Sequence, residues 1–200
     1  MSDLILARHG ETLWHAENRY AGSTDVGLTD RGRAQSFALG RWAAGHPLAA
    51  VYSSDLSRAV ITATPAAAAR ELALQIDPRL REVDFGQGEG RTTTEMREAF
   101  PDALAAFHRS PGQSPLPGGE SGTAAVDRAW PALEQIAARH DGPVLVVMHS
   151  TLMRLILCRV LDMNLDRYRT AFPSVRNVAH TTITLGSAPA LHGYNVPLPD

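Results

Sequence analysis

Short unbroken apolar runs alternate along this chain with longer stretches in which apolar residues return every three or four positions. Leu4 to Ala7, Ala49 to Tyr52 and Val144 to Met148 are of the first kind. They are continuous rather than alternating, which predicts strands buried on both faces. Ala73 to Ile76 and Thr181 to Leu185 are weaker strand candidates. Helical spacing places Ala34, Phe37, Ala38 and Trp42 on one face, predicting a helix from a cap at Thr29 to about Ala44. Ser57 to Arg70 predicts an alanine-rich helix in which Pro65 should force a kink or a split. Thr92 to His108 predicts a helix interrupted near Pro101. Val126, Trp130, Leu133 and Ala137 predict one from a cap at Ser121 to about His140, with Pro131 a second contradiction. Leu152, Leu155, Ile156 and Val160 share a face over Thr151 to Leu161. Residues 11–28, 79–90 and 110–122 read as loops. The last holds three prolines and four glycines and is long enough to be a lid or a substrate wall. The alternation predicts an α/β fold, a three-layer α/β/α sandwich around a mostly parallel central sheet.

Composition narrows the class. A chain of 200 residues, 44% hydrophobic, is expected to form one domain over 1–200 with a sizeable core. A formal net charge of -2 gives no electrostatic reason to expect a nucleic-acid or membrane partner. The lone Cys158 cannot form an internal disulfide and sits in the apolar stretch Leu155-Ile156-Leu157-Cys158, so it reads as a buried small hydrophobe. That usage fits a reducing cytosol, and a cytoplasmic location is expected. The N-terminus lacks a basic region followed by a long apolar run, so no signal peptide is expected. No apolar stretch approaches the roughly 20 residues of a membrane span. A monomer and a homodimer both fit.

Candidate chemistry gathers where two predicted strands end. Leu4-Ile5-Leu6-Ala7 runs into Arg8-His9-Gly10-Glu11-Thr12, and Val144 to Met148 runs into His149-Ser150. If the two strands are parallel neighbours, both histidines meet at the carboxyl edge of the sheet, where open α/β folds bind ligands. Two imidazoles and an arginine could bind a metal, a carboxylate or a phosphate. A metal site usually recruits at least three ligands, and Arg8 would repel a cation. A phosphoryl group is therefore the better fit, since guanidinium forks match phosphate geometry. No metal and no cofactor are expected.

The motif Leu4 to Gly10, with Glu11-Thr12 following, resembles the signature of the histidine phosphatase superfamily, which has the phosphoglycerate mutase-like fold. Further segments resemble that family in order: Trp14 to Gly22, Asp25 to Gly32, Tyr52 to Ala59 with Thr62 to Thr64, Leu80 to Gly90, Pro117 to Ser121, and Val146 to His149. The resemblance implies roles. His9 would be the nucleophile that forms a phosphohistidine. Arg8 and Arg58 would clamp the phosphoryl oxygens, and His149 would donate to them from the far side. Glu82, preferred over Asp84 and Glu89, would protonate the leaving alcohol and then activate water.

Two positions depart from the family pattern. His15 stands where many relatives have asparagine, and a ring N–H is expected to contact phosphate there. Ser150 stands where many have glycine, and its backbone N–H at a helix start is a candidate phosphate donor. The stretch from Gly22 to Thr24 and the loop carrying Glu120 and Ser121 are expected to line the pocket mouth. That wall is neither very basic nor rich in aromatics, which argues against a second phosphate and against a nucleobase. The implied activity is hydrolysis of a small phosphomonoester, such as a sugar phosphate, a phosphoglycerate derivative or ribazole phosphate. The alternative is a cofactor-dependent phosphoglycerate mutase. Such mutases are longer between the positions of Phe85 and Ser121, and here the only cations of that stretch are Arg91, Arg97 and Arg109.

Overall fold

The computed structural model describes residues 2–199. Six strands form one sheet: β1 (Leu4–Arg8), β2 (Ala50–Ser53), β3 (Leu74–Ile76), β4 (Val144–Met148), β5 (His180–Thr184) and β6 (Ala190–Val196). Their order is β3-β2-β4-β1-β5-β6. The first four are parallel, and β5 and β6 add antiparallel at one edge. β1 and β4 are direct neighbours, with Arg8 opposite Met148.

The continuous apolar runs follow from a sheet covered on both faces. Leu4, Leu6, Val144, Val146 and Met148 pack on one side with Leu133, Ile136, Leu152 and Ile156. Ile5, Ala7, Leu145 and Val147 pack on the other with Leu39, Trp42, Ala59 and Ala63. The first layer comprises α5 (Gly122–Arg139) and α6 (Ser150–Val160), and the second α1 (Asp30–Ala44) and α2 (Ser57–Ala69). The caps are those expected: Thr29 accepts the Gly32 amide and Ser121 the Ala124 amide. A capping box at Thr92 and Glu95 starts α3 (Thr93–Ala99), and the break at Phe100 precedes α4 (Pro101–Arg109).

Some expectations are corrected. Pro65 does not split α2, which runs through it, and Pro131 lies inside an unbroken α5. Each proline removes one backbone bond, and tertiary packing outweighs that loss. Pro65 packs where α1 offers Gly40, at which a Cβ would sit 2.8 Å from the proline ring. β6 and the short α7 (Tyr168–Ala171) were not anticipated, because β6 is a half-exposed edge strand with no clean apolar pattern. No helix among the described residues is long and apolar enough to cross a membrane.

Candidate active site

Because β1 and β4 are parallel and in register, the residues following them meet. The His9 and His149 rings lie 5.2 Å apart between centroids. Gly10 lets the chain turn away tightly, since a Cβ there would sit 2.6 Å from the Gly32 carbonyl. The Gly10 amide donates to Thr62 Oγ1 at 2.9 Å, and Thr62 in turn donates to the Arg58 carbonyl. The His9 carbonyl accepts from Asn177 Nδ2 at 2.7 Å.

His9 Nδ1 lies 2.7 Å from the Gly10 carbonyl, which can only accept, so Nδ1 carries the ring proton and Nε2 keeps its lone pair. Burial, then Arg8 and Arg58, hold this imidazole well below its usual range, so it is neutral at pH 7. Burial and Arg58 do the same to His149. His149 Nε2 faces the Ser54 hydroxyl at 2.8 Å, while its buried Nδ1 has no partner within the protein.

Arg8 donates to the Val175 carbonyl at 2.7 Å and to His15 Nε2 at 2.6 Å, and its Nε has no partner. Burial pushes its pKa down to about 10, which leaves it cationic. Arg58 is wholly buried and donates to the carbonyls of Gly22 (2.5 Å) and Thr24 (2.7 Å), again with an unpartnered Nε. Glu89 holds the 22–24 turn in place by accepting the Ser23 and Thr24 amides. Asp84 accepts the Gly86 amide. Of these three carboxylates only Glu82 lines the cavity. Its Oε1 accepts the amides of Val83 and Leu152, and its Oε2 that of Thr151, so it caps α6.

The cavity in front of His9 measures about 390 Å³. Its walls come from the 12–21 loop, the start of α6 and α7. This corrects the expected pocket mouth. No residue of 110–122 and none of Gly22 to Thr24 lines it. Glu120 is spent on Arg128 at 2.8 Å, and Ser121 on capping α5. The 110–122 loop is pinned aside: Ser110 and Gly112 bond Asp166, and Leu116 is buried. The wall is also more basic and aromatic than expected, with Arg154, Arg169, Trp14, Tyr20 and Tyr168 facing the space. Ser150 lines it at the first position of α6, and its amide makes none of the bonds that Glu82 accepts. His15 lines it too, but both ring nitrogens face protein groups, Nε2 on Arg8 and Nδ1 on Thr12 Oγ1 at 2.8 Å. Burial, then Arg8, pushes its pKa down to about 4. The ring is therefore placed to hold Arg8. Among the described residues no group of three or more His, Cys, Asp or Glu converges as metal ligands.

Sequence reasoning gave Ser54 and Thr62 no role, although both lie in a segment that resembles the family, and it missed Asn177, Arg154 and Arg169. Arg154 lies one helical turn after Ser150 and was findable by that spacing. Asn177 and Arg169 carried no local signal.

The family model for the histidine phosphatase superfamily (branch 1) matches residues 4–195. Phosphoserine phosphatase 1 of Hydrogenobacter thermophilus is 32% identical over 169 residues, covering 84% of this chain and 80% of that protein. Glucosyl-3-phosphoglycerate phosphatase of Mycolicibacterium vanbaalenii is 32% identical over 173 residues, covering 82% and 76%. The solved structure of Bacillus stearothermophilus YhfR superposes with a TM-score of 0.90 at 31% identity, covering 98% of each chain. Matched over nearly its whole length in sequence and in fold, this chain belongs to the histidine phosphatase superfamily, branch 1.

Proposed function

We propose that the chain hydrolyses small phosphomonoesters through a phosphohistidine formed on His9. The observation that carries this reading is the His9 imidazole itself: buried, neutral, with Nδ1–H spent on Gly10 and Nε2 free among Arg8, Arg58 and His149. Nε2 attacks phosphorus, the P–N bond forms, and the P–O bond to the alcohol breaks. Arg8 and Arg58 stabilise charge on the transferring oxygens, which is the main task in phosphoryl transfer. The His149 Nδ1 position and the Ser150 amide supply further donors. Glu82 Oε2 accepts a single amide and so keeps a lone pair for the proton that goes to the leaving oxygen. In the second half the carboxylate takes a proton from water, which attacks the phosphohistidine and restores free His9 and inorganic phosphate.

Two relatives act, by their names, on phosphoserine and glucosyl-3-phosphoglycerate. Both are small phosphorylated metabolites with a carboxylate, and that support extends here to the substrate's size class.

The test is phosphate release from a panel including 3-phosphoglycerate, O-phosphoserine and p-nitrophenyl phosphate, with parent protein and His9→Ala. Turnover should fall by at least ~10³ in the variant, roughly 4 kcal/mol of barrier. Labelled phosphate should be trapped on the parent as an acid-labile adduct. Retained activity in His9→Ala sinks the phosphohistidine. Isomerisation of 3-phosphoglycerate primed by 2,3-bisphosphoglycerate, with no release, replaces hydrolysis by mutase chemistry.

A further inference from the structure

The cavity holds more positive charge than one phosphoryl group needs. Arg154, from the second turn of α6, and Arg169, from α7, both line it. Neither takes part in any of the ion pairs among the described residues. Arg154 donates only its Nε, to the Ser150 carbonyl at 3.1 Å. Arg169 reaches no closer than 3.5 Å to the Tyr20 hydroxyl, and its buried Nε has no partner. Arg19, the other cation of the wall beside Arg8, is instead paired with Glu17 and Glu95.

Both guanidiniums lie over aromatic rings. Arg154 lies over Tyr168 at 4.8 Å, and Arg169 lies over Phe107 at 4.8 Å and Tyr168 at 5.3 Å. A guanidinium over a ring can still offer N–H groups to a carboxylate, which takes the fork bidentately. Arg154 is also close enough to Arg8 for their charges to interact, so this second subsite adjoins the phosphate site.

We infer that Arg154 and Arg169 form a second anion subsite, and that the substrate is a phosphomonoester whose body carries a carboxylate. The inference rests on the phosphatase reading of the same cavity. A carboxylate beside the phosphate would take a guanidinium fork bidentately, whereas an uncharged substrate body would leave both arginines without an ionic partner.

The experiment uses a matched pair, 3-phosphoglycerate and glycerol 3-phosphate, which differ by a carboxylate in place of a hydroxymethyl group. Affinities are measured calorimetrically on His9→Ala, which cannot turn over, and kcat/KM on parent, Arg154→Met and Arg169→Met. The parent should prefer the carboxylate about 10- to 100-fold. That preference should collapse toward one in either arginine variant. Equal affinity for the pair, or a parent preference untouched by both substitutions, overturns the subsite. A larger gain from a second phosphate without a carboxylate, read as dihydroxyacetone bisphosphate against dihydroxyacetone phosphate, also overturns it. Should one arginine variant fail to fold, the parent ratio and the other variant still decide. Failure of the phosphatase reading is separately visible, as no release from p-nitrophenyl phosphate by the parent while the binding ratio is still read.

Discussion

At the scale of single residues, the state of each imidazole is set by one neighbour. Ser54 Oγ accepts the Leu56 amide at 3.4 Å and faces His149 Nε2 at 2.8 Å; a proton donated from Ser54 to Nε2 would keep the His149 proton on Nδ1, where the proposed mechanism needs a donor. Ser54→Ala should therefore lower kcat by about 10-fold with little change in KM, because a donor aimed at the transferring group is lost more than ground-state binding. Nitrogen-detected NMR of His149 should show a single Nδ1-protonated tautomer in the parent and a mixture in the variant, with Ser54→Thr restoring the first. An unchanged tautomer would remove Ser54 from this positioning role. Arg8, His9, Arg58, Glu82 and His149 were legible as candidates because they lie in local motifs; of these, Arg8, His9 and Glu82 line the cavity. His15 was legible as a site residue, yet its direction was not, because Arg8 takes the nitrogen expected to face phosphate. Nothing local marked Glu120 as the partner of Arg128 rather than a pocket wall.

Elements show how packing overrides local preference. Proline inside α2 is tolerated because α1 presents Gly40 against it. Gly40→Ala adds a Cβ 2.8 Å from the Pro65 ring and 3.1 Å from its backbone, neither of which can swing aside. Helix propensity would favour alanine by about 1 kcal/mol. Overpacking at a helix contact costs typically 1–3 kcal/mol, so Gly40→Ala should be net destabilising in urea melts. Gly45→Ala, whose Cβ would meet only the Trp42 carbonyl at 3.7 Å, should be near neutral. Equal stability of the two variants would discount the α1–α2 contact. The continuous runs of β1 and β4 announced strands buried on both faces. β6 was silent because an edge strand exposed along much of its length needs no such pattern.

For the whole molecule, the buried histidines link stability to pH. His9 and His149 are held well below 6.5 by burial and by the arginines, while in the unfolded chain they titrate near 6.5. Below that value the unfolded state binds more protons than the folded one, so stability present above pH 6.5 is lost as pH falls. Each such histidine contributes a slope of up to about 1.4 kcal/mol per pH unit. Melting temperature should therefore drop between pH 6.5 and 5, above the range where the carboxylates titrate. His149→Gln should drop less steeply, and parallel slopes would contradict a neutral buried His149. The layered α/β architecture, the helix caps and the histidine-bearing strand ends were determined by sequence alone, because periodicity, capping chemistry and short motifs are local and read within a few residues. Tertiary structure alone decided which loop walls the cavity, which carboxylate faces it, and that Arg154 and Arg169 converge on Tyr168. Those facts depend on contacts between segments far apart in the chain, where the competing partners are chosen by packing and by the cost of leaving a buried polar group unpaired.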